Sequence, residues 1–159
     1  MNGPSLAWHE PLSTAQAARV SALPQLSDTA AWSSTSATMA VAPDPAAVAQ
    51  ARSFARAVLA DWALPGLVDT VELMVSELVT NALVHPHRPD PAVPIPLRLL
   101  RVGQGVRIEV DDADPAHQPR RAAHAHGEHL RGLQLVHHLA REHGTCSDGT
   151  TKTVWALAA

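Results

Sequence analysis

The stretch Val71 to His85, VELMVSELVTNALVH, limits what this chain can fold into more than any other. Its apolar residues Val71, Met74, Val75, Leu78, Val79, Ala82 and Leu83 recur at spacings of three and four. That is the period of a helix with one broad apolar stripe, suited to packing on a sheet. Beside the stripe runs a polar row, Glu77, Asn81 and His85, at steps of four, so the three stand one above another.

Two kinds of chemistry fit that row. A carboxamide oxygen is a hard ligand for Mg²⁺, an ion that keeps several waters and takes other oxygens from nucleotide phosphates. A carboxylate one turn away can orient or deprotonate a nucleophile. The spacing alone equally fits an ordinary polar face turned to water, since such pairs are common on helix surfaces.

The 159 residues are enough for one domain with a single sizeable core. Aromatic residues make up 3% of the chain, so the core must come from Ala, Val and Leu. The formal net charge of −3 gives no footprint for direct nucleic-acid binding or for an anionic membrane surface. A lone cysteine, Cys146, excludes an internal disulfide framework and a Cys-rich zinc site. No apolar run is long enough to span a membrane, and the amino terminus lacks a secretory pattern. A cytoplasmic location is the expectation.

Residues 1–34, rich in Ala, Ser, Thr and Pro, read as a flexible N-terminal extension with a short helix over Ser13 to Leu23. The domain proper is expected over 35–159. It opens with an edge strand over Thr35 to Ala42. A helix to about Trp62 follows, capped by Asp44 with Pro45 at its first position. Its inward face is expected to be Val48, Ala51, Phe54 or Ala55, Val58 and Leu59. Leu64-Pro65-Gly66 breaks that helix and leads into the organising one.

After a loop set by Pro86, Pro89, Pro91, Pro94 and Pro96 comes a hairpin, Ile95 to Val102 and Gly105 to Val110, around Gly103-Gln104-Gly105. Asp111-Asp112-Ala113-Asp114-Pro115 closes its second strand, and the composition by itself would suit a plain turn. A polar stretch from Ala116 to His129 precedes a helix over Leu130 to Arg141, with Leu133, Leu135 or Val136, and Leu139 on its buried side. A last hairpin joins Gly144–Cys146 to Thr151–Leu157. This order predicts an α/β fold: a two-layer α/β sandwich with a mixed, mostly antiparallel sheet and helices on one face.

The string ELVTNALVH, set in that element order, resembles the N box of the Bergerat-type (GHKL, histidine-kinase-like) ATP-binding domain, in particular bacterial anti-sigma-factor serine/threonine kinases. The resemblance covers about residues 35 to 158. It implies that Glu77 is the catalytic acid–base and that Asn81 is the Mg²⁺ ligand. Asp112 matches the aspartate that accepts a hydrogen bond from the adenine amine, while Asp111 faces the other way if strand alternation continues. Arg131-Gly132-Leu133 looks like a GRGL element, which brings backbone amides to the phosphates. Leu130 stands where the family usually has glycine, which predicts poor discrimination between ADP and ATP and slow transfer. Lys152-Thr153-Val154-Trp155 resembles the closing strand, with Thr153 at the adenine end of the pocket. His85 either meets the phosphates or ends its helix.

The resemblance implies ATP and Mg²⁺ as cofactors. It implies transfer of the γ-phosphate to a serine of an antagonist protein, sequestration of a sigma factor, or both, with a homodimer left open. Two other readings remain: a nucleotide-binding interaction module without phosphotransfer, and a partner-binding scaffold that has lost nucleotide. A P-loop over Gly144 to Lys152 is rejected because Thr150, not lysine, follows Gly149. A zinc site among His117, His124, His126 and His129 lacks a ligand spacing to support it.

Overall fold

The computed structural model of the chain describes residues 30–84, 90, 92–112, 128–147 and 151–159. Strand β1 (Ala30–Trp32) is followed by β2 (Ser36–Val41), helix α1 (Ala47–Asp61) and helix α2 (Val68–Val84). Then come β3 (Ile95–Val102), β4 (Gly105–Asp112), helix α3 (Glu128–Leu139), β5 (Glu142–Ser147) and β6 (Lys152–Ala158). The strands form one sheet in the order β1-β2-β3-β4-β6-β5, and every pairing among the described residues is antiparallel. The expected two-layer α/β sandwich is therefore the fold, without the parallel component that a mixed sheet would have.

Alternation along the strands divides the sheet into two faces. Leu97 and Leu99 of β3, Val106, Ile108 and Val110 of β4, and Ala156 and Ala158 of β6 are buried on one of them. Against that layer pack Val71, Met74, Val75, Leu78 and Val79 of α2, while α1, with Phe54, Val58 and Leu59 buried, packs on α2 and on β2, whose Ala37, Met39 and Val41 are buried too. Each fully buried Val, Leu, Phe or Met contributes roughly 1.5–3 kcal/mol, so this shared layer dominates stability. The predicted stripe of α2 is the buried one, with Leu83 only partly covered. On α3 the core takes Val136 rather than Leu135, while Leu135 and Leu139 stay 38% and 40% exposed.

The element boundaries follow from local chemistry. The sheet begins at Ala30, inside the stretch expected to be extension, because Ala30–Trp32 pairs with Ala37–Met39. The remaining extension and its expected helix over Ser13 to Leu23 lie outside the described residues. Asp44 does accept a hydrogen bond, from the Ala46 amide at 2.7 Å, but it closes a turn ahead of α1, which starts at Ala47. At its other end, α1 stops in a Schellman motif with Trp62 as the cap. Leu64 N–H bonds Leu59 O at 2.9 Å and Ala63 N–H bonds Ala60 O at 3.2 Å. That motif puts its next residue in the left-handed region, and here it is Ala63, with φ 54°.

A 3-10 turn, Pro65–Leu67, then leads into α2, which begins at Val68 rather than Val71. The buried Trp62 donates its indole N–H to the Ser33 carbonyl at 2.7 Å and so fastens α1 to the β1–β2 connection. Between β3 and β4 the two-residue turn has Gly103 at φ 61°, as a tight hairpin of this length requires at its first position.

Candidate functional site

Helix α2 lies across β3, β4 and β6, and α3 packs on α2. Glu77 and Asn81, one turn apart in the second half of α2, are half-buried. Gly132, buried in the first half of α3, stands against Glu77. A methyl group at 132 would overlap the Glu77 carboxylate and reach its Cδ at 2.8 Å. The absence of a side chain at 132 thus makes the space that the carboxylate fills. The sequence pairs these residues only through the resemblance; no spacing rule connects positions 77 and 132.

Strand β4 continues to Asp112, beyond the expected end at Val110. Asp111 pairs with Thr153 and Asp112 with Lys152. The two aspartates are strand residues and not a turn, because β6 supplies backbone partners for both. Asp111 lies on the face away from the helices, as alternation predicts. Its Oδ1 accepts from the Thr153 hydroxyl at 2.7 Å, and Arg98 of β3 grips both its oxygens, with Nη1 to Oδ2 at 3.0 Å.

Thr153 was expected at the adenine end of the pocket. Its side chain lies on the outer face with Asp111, because alternation along β6 sends Lys152 and Thr153 to opposite sides. Leu133 is partly buried against the core. Arg131 is a residue of α3, and His85 lies outside the described residues.

Outer-face electrostatics continue from Asp111. Arg98 Nε also donates to Glu109 Oε2 at 3.1 Å, and Arg107 Nε donates to Glu109 Oε1 at 2.7 Å. The Arg107 guanidinium lies 4.0 Å from the centre of the Trp155 ring. Burial opposes the charge on Arg98, but hydrogen bonding and attraction to Asp111, then Glu109, outweigh it, so its pKa is raised above the ordinary arginine value.

Sequence reasoning gave two of these residues no role of their own. Arg98 is one, since nothing in β3 marks it apart from its place in the outward phase. The other is Lys152, only 5% exposed and the one buried charged side chain among the described residues. Its signal is a charge in the same phase of β6 as Ala156 and Ala158. At the end of α3, the rings of His137 and His143 stack at 3.8 Å. No cluster of three or more His, Cys, Asp or Glu residues able to hold a metal occurs among the described residues, and the crowded histidines at 117–129 fall mostly outside them.

An antiparallel sheet covered by helices, with the middle helix lying across its central strands, is the architecture of an α/β sandwich. The chain belongs to the histidine kinase-like ATPase domain family, which matches residues 41–157 and thereby implies ATP binding. Among solved structures, it is similar to the crystal structure of the RsbU and RsbW domains of Rv1364c from Mycobacterium tuberculosis, at 19% identity and a TM-score of 0.58. That likeness shows a shared fold. It covers 77% of this chain and 32% of the other, so the present sequence spans about a third of that protein. No curated protein matches the sequence. No helix among the described residues is long and apolar enough to cross a membrane.

Proposed function

We propose that this domain is a regulatory serine/threonine kinase of the anti-sigma-factor type, which binds ATP with Mg²⁺ and phosphorylates a serine of an antagonist protein. The observation that carries the reading is the seating of the Glu77 carboxylate against Gly132, with Asn81 one turn away on the same helix. A carboxylate with helix backbone on one side has few orientations open to it, as a general base requires. Glu77 accepts the proton of the serine hydroxyl while its oxygen attacks the γ-phosphorus, and ADP carries away the bridging oxygen and its electron pair.

The donor set suits the metal–nucleotide pair. Asn81 offers a neutral oxygen, which leaves the phosphates to supply the charge, in keeping with the way Mg²⁺ is usually held. Bound Mg²⁺ neutralises charge on the phosphates. Asp112 accepts a hydrogen bond from the adenine amine; guanine carries a carbonyl at that position. Arg131 and Gly132 lie on the phosphate side. Sequestration of a sigma factor by the same domain belongs to this reading, with the sigma factor and the antagonist as its protein partners.

Calorimetry with ATP and ADP, with and without Mg²⁺, combined with a phosphotransfer assay on a serine-bearing antagonist, tests it. Mg²⁺-dependent ATP binding with label appearing on serine supports the kinase. Binding of both nucleotides without transfer supports the interaction module instead, and no binding of either supports a scaffold.

A further inference from the structure

We infer that Arg98, Asp111 and Thr153 act together as a positioning clamp for base recognition, holding the end of β4 from the face of the sheet that the nucleotide does not touch. This rests on the assignment of Asp112 to the adenine amine. The three residues come from three neighbouring strands. Arg98 of β3 donates through both terminal nitrogens to Asp111 of β4, and the Thr153 hydroxyl of β6 donates to the same carboxylate at 2.7 Å. Glu109, two residues back on the same face, is bound by Arg98 at 3.1 Å and Arg107 at 2.7 Å.

The location gives the clamp its meaning. Asp111 is the last residue of β4 but one, and Asp112↔Lys152 is the final pair of the β4–β6 ladder. A strand end held only by backbone bonds frays, and a side chain carried there shifts with it. Hydrogen bonds from both neighbouring strands at position 111 anchor the residue that precedes Asp112, so that only the final residue of the strand is left to the backbone ladder. An ordinary β-branched residue at 111 would serve strand propensity as well. Half-burying charged side chains is also a poor route to stability, so the network is better understood through what it holds in place. None of the three reaches the helix-covered face. They work through the β4 backbone and are positioning residues.

The test is the preference for ADP over GDP, measured by calorimetry on the full chain without Mg²⁺. Wild type is compared with Thr153→Val, Thr153→Ser, Arg98→Lys and Asp112→Asn. Thr153→Val keeps shape and β propensity while removing the donor. It should lower the preference about three- to tenfold, the effect of a weakened hydrogen bond to the base. Thr153→Ser should restore it, and Arg98→Lys, which loses the fork, should lower it as Thr153→Val does. A clamp that served stability alone would lower the melting temperature in these variants and leave the ratio unchanged; that result overturns the inference. If Asp112→Asn leaves the ratio unchanged, or wild type has no preference, the base assignment fails and the clamp falls with it. If Asp112→Asn abolishes the ratio and Thr153→Val does not move it, only the clamp is refuted.

Discussion

The backbone of Gly132 and the carboxylate of Glu77 share a space that no side chain at 132 could enter without moving the acid. This contact joins α2 and α3. Gly132→Ala should therefore cost about 1–3 kcal/mol, as overpacking does elsewhere. Glu77→Ala in the same background should recover most of that loss. A double-mutant cycle by urea denaturation measures the coupling, and additive effects would mean the two residues are not in contact.

Glu77 and Asn81 should separate chemistry from binding. Glu77→Gln should abolish phosphotransfer while ADP affinity stays close to wild type, because ADP binding needs no base. Asn81→Ala should reduce the gain in ATP affinity that Mg²⁺ brings. Equal loss of ADP binding in both variants, with an unchanged circular dichroism spectrum, would mark the pair as structural.

Ala63 sits at a left-handed position where glycine is the usual occupant, with φ 54°. A residue bearing Cβ is strained there by about 1 kcal/mol or more. Glycine removes that strain but gains entropy in the unfolded chain. Ala63→Gly should raise the stability of the domain by up to about 1 kcal/mol, read from the denaturation midpoint, with nucleotide affinity unaffected. A destabilised variant would show that the Schellman ending of α1 is wrong.

Trp62 should matter through its nitrogen as well as its bulk. Trp62→Phe keeps an aromatic ring but leaves the Ser33 carbonyl without its indole donor. A loss of about 1–3 kcal/mol is expected from the unmet acceptor and the smaller ring together. Hydrogen exchange should then rise first in β1 and the adjoining end of β2. Uniform loss of protection across the sheet would argue that Ser33 is not the partner that counts.

Much of the molecule was legible in the sequence, for reasons that can be named. Val71, Met74, Val75, Leu78, Val79 and Ala82 lie inward because a 3.6-residue period leaves no other way to bury them, and Val106, Ile108 and Val110 likewise through a period of two. β1 escaped notice because Ala30–Trp32 is too short to show a period and gains its identity from pairing with β2. Leu135 and Val136 could not be told apart, since either fits an apolar stripe and the packing on α2 decides. Spacing alone puts Glu77 and Asn81 in one polar row, and only the resemblance gives them roles. For Thr153 the resemblance supplies a motif but not its phase, which pairing with Asp111 fixes. Arg98 has no local signature; its importance comes from strands that meet it only after folding.

The strand order carries a consequence for how the molecule comes apart. β1-β2, β3-β4 and β6-β5 are three hairpins, each joining strands adjacent in sequence, laid edge to edge. Two seams remain, β2 against β3 and β4 against β6, and each unites segments separated by at least one helix. Closing a seam costs the entropy of the long loop it spans, whereas a hairpin closes over a few residues. Opening should run along the seams, with the hairpins as units. The bond from Thr153 to Asp111 crosses the second seam, so one of the two lines along which the sheet is expected to open carries a side-chain stitch between its strands.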